Sequence, residues 1–89
     1  MNTIDINDEN LRIFYSKISQ NIIRIRKNKK ISQLDLATSI GHTSATFFGK
    51  AELLAENKHF NLEHLYKIAI ALNVDIKDFF EGIETIKEN

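Results

Sequence analysis

Residues 32–54, SQLDLATSIGHTSATFFGKAELL, decide how this chain is read. Ser32-Gln33-Leu34-Asp35 has the form of a capping box, in which the Ser oxygen and the Asp carboxylate each satisfy an orphan amide donor. Leu34, Ala37 and Ile40 follow at steps of three, with Leu36 beside them, and Gly41 stands where a helix needs a left-handed residue to stop. The pattern predicts a short helix over 33–40. After the turn, Thr43 or Ser44 can cap a second short helix from about Ala45 to Leu54. Phe48, Ala51 and Leu54 would face inward, and Ala45, Thr46, Gly49 and Lys50 outward.

Working outward, Leu11, Tyr15, Ile18, Ile22 and Ile25 recur at steps of four and three, which predicts an amphipathic helix over about 9–28. Asp8 would be its N-cap and Asn28 its left-handed terminator. Downstream of a polar linker, Glu56 to His59, Asn61 caps a helix whose apolar stripe is Leu62, Leu65, Ile68, Ala69 and Leu72. Phe60 is placed to staple onto Leu65, and Asn73 closes the helix. Asp75-Ile76-Lys77-Asp78 repeats the capping pattern and leads into a fifth short helix around 76–81 that ends at Gly82. The expected architecture is a compact all-α domain of five helices. It occupies residues 9–82, with a flexible acidic segment at 1–8 and a tail at 83–89. The pair flanking Gly41 has the outline of a helix-turn-helix.

Composition sets limits. An 89-residue chain holds one core, and without proline and with only three glycines it lacks the turn punctuation of a multi-stranded sheet protein. The absence of cysteine removes disulfides, thiol nucleophiles and thiolate metal sites. No Ser-His-acid spacing and no phosphate-binding glycine loop is present, so an enzyme is not expected, and no cofactor is implied. His42, His59 and His64 lack metal-ligand spacing: His59 and His64 are five apart and straddle a cap. No apolar run approaches the roughly 18 residues of a membrane span, so the chain is expected to be cytoplasmic, with no membrane partner.

The net charge is zero, but it is unevenly spread. Residues 1–11 hold three acids and no base, whereas residues 12–30 hold seven bases and no acid. A chain polarised in this way can show a positive face to phosphate while its far end stays acidic. The plainer alternative is that these bases are the solvated side of a long helix.

Residues 21–80 resemble the lambda-repressor/Cro-type (XRE) helix-turn-helix family. Ile22, Ile25 and Arg26 match that family's apolar-x-x-apolar-Arg. Ile31-Ser32-Gln33 with Leu36-Ala37, then Gly41, match its second helix and turn. Leu65, Ile68, Ala69 and Leu72, followed by Val74-Asp75-Ile76, match its later helix. Two positions depart from the pattern. Lys30 stands where the family commonly has Gly, so Asn28 or Lys29 would take up the turn. The turn before the third helix also admits two registers. With no insertion Phe47 is buried; with one extra turn residue Phe48 and Ala51 are buried and Glu52 matches a family Glu. The second register aligns more positions.

The resemblance implies double-stranded DNA as partner, with the N-terminal turn of the third helix in the major groove. The candidate DNA-binding residues are Gln33, Thr43, Ser44, Ala45, Thr46, Lys50, Asn57 and Lys58. Gln33 can donate to a phosphate at a helix N-terminus that already favours anions. Thr46 suits a phosphate or a thymine methyl, and Lys50 a guanine edge or a phosphate. Asn57 and Lys58 lie in the loop that touches the DNA backbone in the family. Each has a bland alternative as an ordinary surface residue. Arg24, Lys27, Lys29 and Lys30 suit general phosphate attraction, and Arg26 suits a structural ion pair. The expected protein is a small homodimeric, repressor-like regulator, dimerising through Phe79, Phe80, Ile83 and Ile86 or through the long first helix. The alternative is a protein-interaction module, such as an antitoxin or adaptor that binds a toxin or another regulator.

Overall fold

The computed structural model describes residues 8–41 and 45–85. Four α-helices follow in order: α1 (Asp8–Asn28), α2 (Gln33–Ser39), α3 (Ala45–Leu53) and α4 (Leu62–Leu72). Two 3₁₀ segments, Ala55–Asn57 and Ile76–Phe80, complete the elements of the described residues, so the expected fifth α-helix is a single tight turn instead. Asp75 accepts from the amide of Lys77, and the Asp78 amide bonds back to Asp75 O at 2.9 Å, the i→i+3 spacing of 3₁₀ geometry.

The long α1 is the spine. Ile18, Ile22 and Ile25 from it meet Leu36 and Ala37 of α2, Phe48 and Ala51 of α3, and Leu65, Ile68 and Leu72 of α4 in one core. Phe79 caps that core from below and is fully buried. It is therefore unavailable as a dimer contact, and Phe80 and Ile83 also pack against the core. Ile86 lies outside the described residues. Asn21 ties the 3₁₀ turn to α1 by donating to Phe79 O at 2.9 Å and Glu81 O at 3.0 Å.

The helix ends follow from local chemistry. Asp8, expected as a cap, is the first helical residue. At the other end of α1 it is Lys30, not Asn28 or Lys29, that turns left-handed, with φ of 59°. Ile31 N bonds to Arg26 O and Lys30 N to Lys27 O, the paired closure of a Schellman turn. Lys30 thus occupies the conformation that glycine fills more cheaply, and the departure from the family pattern is absorbed at the departing residue. Asn73 closes α4 in the same way, and Gly41 ends α2 at φ 86°. Asn61 caps α4 as expected, and His64 completes a capping box by accepting from the Asn61 amide at 3.1 Å.

Candidate nucleic-acid interface

α2 and α3 are locked together from beneath by a buried polar cluster. Arg26, in the last turn of α1, makes a bidentate contact with Glu52 of α3, Nε to Oε2 at 2.7 Å and Nη2 to Oε1 at 3.0 Å. Its remaining nitrogen donates to Ile31 O at 2.8 Å, holding the turn that leads into α2. Gln33, the first residue of α2, donates to the same Glu52 Oε1 at 2.7 Å. No buried side-chain nitrogen or oxygen among the described residues lacks a partner. The arrangement favours Phe48 as the inward residue: Phe48 and Ala51 are fully buried, and Phe47 is half-buried with its ring against His64.

Gln33 therefore has two roles open to it. One amide hydrogen is used on Glu52, and a primary amide carries two. The side chain lies along α3 beside Gly49, where an added Cβ would come within 3.4 Å of Gln33 Oε1. Ser32 caps α2 by accepting from Asp35 N at 3.0 Å, so the first turn of α2 is ordered next to the exposed bases Lys27, Lys29 and Lys30.

Ala45 opens α3 half-buried, and Thr46 is exposed in its first turn. Thr43, Ser44 and His42 lie outside the described residues. Lys50 is engaged within the protein: its ammonium pairs with Glu56, and that hydrogen bond, reinforced by charge attraction, holds the Glu56 carboxyl below its ordinary range. A pair six residues apart is invisible to helical spacing rules. It forms because Leu54, Glu56 and Asn57 all take left-handed backbone angles, near φ 56°, and fold the chain back across the end of α3. Asn57 and Lys58 are exposed on that fold-back. They line a groove of about 370 Å³ with Arg12 and Tyr15 of α1 and with His59. Tyr15 stacks on His59 at a centroid distance of 4.1 Å, a brace between α1 and the loop with no sequence signal.

The basic stretch divides in space. Arg26 is buried in the ion pair, while Arg24 pairs with Glu81 at 3.1 Å and Lys17 donates to Gly82 O at 3.2 Å, both toward the C-terminal turn. Arg24 is thus committed elsewhere, and Lys27, Lys29 and Lys30 remain as the bases nearest α2. Among the described residues no group of three His, Asp or Glu is placed to hold a metal ion, and no helix is long and apolar enough to cross a membrane.

A family model, the Cro/C1-type HTH DNA-binding domain, matches residues 21–84. No curated protein matches the chain.

Proposed function

The chain belongs to the Cro/C1-type helix-turn-helix DNA-binding family, and from that membership we propose that it is a homodimeric, repressor-like transcriptional regulator. In this reading α3 enters the major groove by its first turn, with Ala45 and Thr46 nearest the base edges. Gln33 meets a phosphate at the start of α2, and Asn57 and Lys58 meet the backbone on the far side. The observation that carries it is the buried Arg26–Glu52–Gln33 cluster, which ties the first turn of α2 to the last turn of α3 and so fixes the two helices relative to each other. A rigid α2–α3 pair is what reading a groove requires, because a small misplacement at the bases costs the contact.

One recognition helix reads too few base pairs for selectivity, so a two-fold dimer on a near-palindromic site is expected, with half-site centres about 34 Å apart. Thr46 and Lys50 are modest base readers, and Lys50 is paired with Glu56, so DNA shape contributes to specificity. Selection from a random duplex pool tests the reading: a symmetric motif supports it, and weak sequence-independent binding overturns it.

The second reading, a protein-interaction module of the antitoxin or adaptor kind, draws support from the zero net charge and from the Lys50–Glu56 pairing. Salt separates the two. Phosphate binding weakens steeply as salt rises, and an apolar protein interface does not.

A further inference from the structure

Three residues on α4 are exposed out of keeping with their chemistry. Leu62, Tyr66 and Ile70 are 77%, 65% and 65% exposed and stand four residues apart. They form a single ridge about 12 Å long, at 1.5 Å of rise per residue. It runs along the flank of the helix, to one side of the buried stripe of Leu65, Ile68 and Leu72. Side chains of this size at these exposures offer on the order of 400 Å² of mainly apolar surface, enough to mark an interaction site on a small protein. The apolar residues on the first half of α1 make no comparable feature. Leu11, Ile13 and Phe14 are only 37–43% exposed; Leu11 and Phe14 share a face, and Ile13 points away from them.

We propose that this ridge is the docking surface for a second copy of the chain, α4 packed antiparallel on α4 about a two-fold axis passing beside Tyr66. The inference rests on the dimeric reading above and names its interface. The ridge is its own complement: with Tyr66 at the centre, the axis sets Leu62 against the partner's Ile70 and Ile70 against the partner's Leu62. A symmetric contact of this isologous kind needs no second surface. Charge agrees. Glu63 and Lys67 border the ridge as an exposed pair at 3.2 Å, and the same axis brings Glu63 toward the partner's Lys67, opposite charges meeting along the rim. Zero net charge leaves two copies without long-range repulsion. Two ridges bury roughly 800 Å² between them, and the rim adds to this. That is below the roughly 1,200 Å² of a stable interface, so the contact is a weak, transient one in the free protein, and binding side by side on DNA strengthens it.

The chain has no cysteine, so engineered thiols report the geometry without background. In the full chain, free of DNA and at high concentration, oxidation of Tyr66→Cys is expected to give a covalent dimer. Leu62→Cys alone is expected to give none, and Leu62→Cys combined with Ile70→Cys to restore it. Tyr66→Glu/Ile70→Glu is expected to weaken dimerisation in sedimentation equilibrium at least tenfold with helicity unchanged, since both side chains are exposed. Efficient self-crosslinking of Leu62→Cys overturns the antiparallel geometry. A dimer that sediments unchanged in the double Glu variant overturns the interface. A chain that is monomeric at every concentration and on palindromic DNA overturns it as well. Because crosslinking is done without DNA, a failed DNA selection counts against the regulator reading separately.

Discussion

Gln33 Nε2 lies 2.7 Å from Glu52 Oε1, the same oxygen that receives Arg26 Nη2 at 3.0 Å. The residue proposed to meet a phosphate is therefore also the last member of a buried ionic cluster. In the proposed binding mode, DNA contact and folding are coupled through one carboxylate.

The cluster makes Glu52 a sensitive polar position, buried and paired to Arg26. Glu52→Ala leaves Arg26 buried without its partner and is expected to cost about 3–5 kcal/mol. Arg26→Met/Glu52→Leu, which removes both charges and fills the space, is expected to cost much less. Urea denaturation of the three proteins checks the order.

Gln33 and Lys58 are expected to fail differently. Gln33→Ala removes a neutral donor, so DNA affinity falls at every salt concentration with the salt slope unchanged, and loss of its hydrogen bond to the Glu52 carboxylate lowers stability by about 1.5–3 kcal/mol. Lys58→Ala removes a charge, and its slope of log affinity against log salt is expected to flatten by about one unit. Titrations at several salt concentrations distinguish them.

Glu56→Gln is expected to strengthen DNA binding and steepen the salt slope by about one unit, because Lys50 is freed for phosphate. The sign with pH follows from the depressed carboxyl. Glu56 stays ionised from neutral pH down through the ordinary Glu range, so the pair persists there, and it is lost only as pH falls through the lowered value. Affinity measured from pH 7 to pH 5 should show no release of Lys50.

Backbone conformation yields a test at Lys30 and Gly41. Lys30→Gly relieves a left-handed residue and is expected to stabilise the fold by about 0.5–1 kcal/mol, after the entropy that glycine adds to the unfolded chain. Gly41→Ala places a side chain at φ 86° and is expected to cost about 1–2 kcal/mol. Thermal melts should separate the two by several degrees.

Much of the fold was legible because its signals are local. The period of Ile18, Ile22 and Ile25, the Asn61 cap and the left-handed Asn73 each act within a few residues, and each stands as expected. Arg26 was legible as an ion-pair former through the family resemblance, and Glu52 through the register that set Phe48 and Ala51 inward; that the two pair with each other was not. What stayed hidden depends on backbone choices that composition does not encode. Nothing in Leu54 or Glu56 announces positive φ, yet those angles bring Glu56 back to Lys50 and carry His59 to Tyr15. The fifth helix failed for a related reason: capping chemistry at Asp75 was read correctly, but the five residues after it close as 3₁₀.

Ser19 and Arg26 sit seven residues apart on one side of α1, and both grip α3. Ser19 Oγ donates to Ala51 O at 3.0 Å, and Arg26 holds the neighbouring Glu52. Ahead of Ser19, α1 continues for eleven residues to Asp8, about 16 Å of helix. Mechanically this is a tiller. A change in the pitch of α3 would be felt along α1 through these two grips, and the Tyr15–His59 stack ties the same helix to the loop after α3. A protein that took hold of the Asp8 end of α1 would act on α3, the helix proposed to read DNA, while touching none of the DNA.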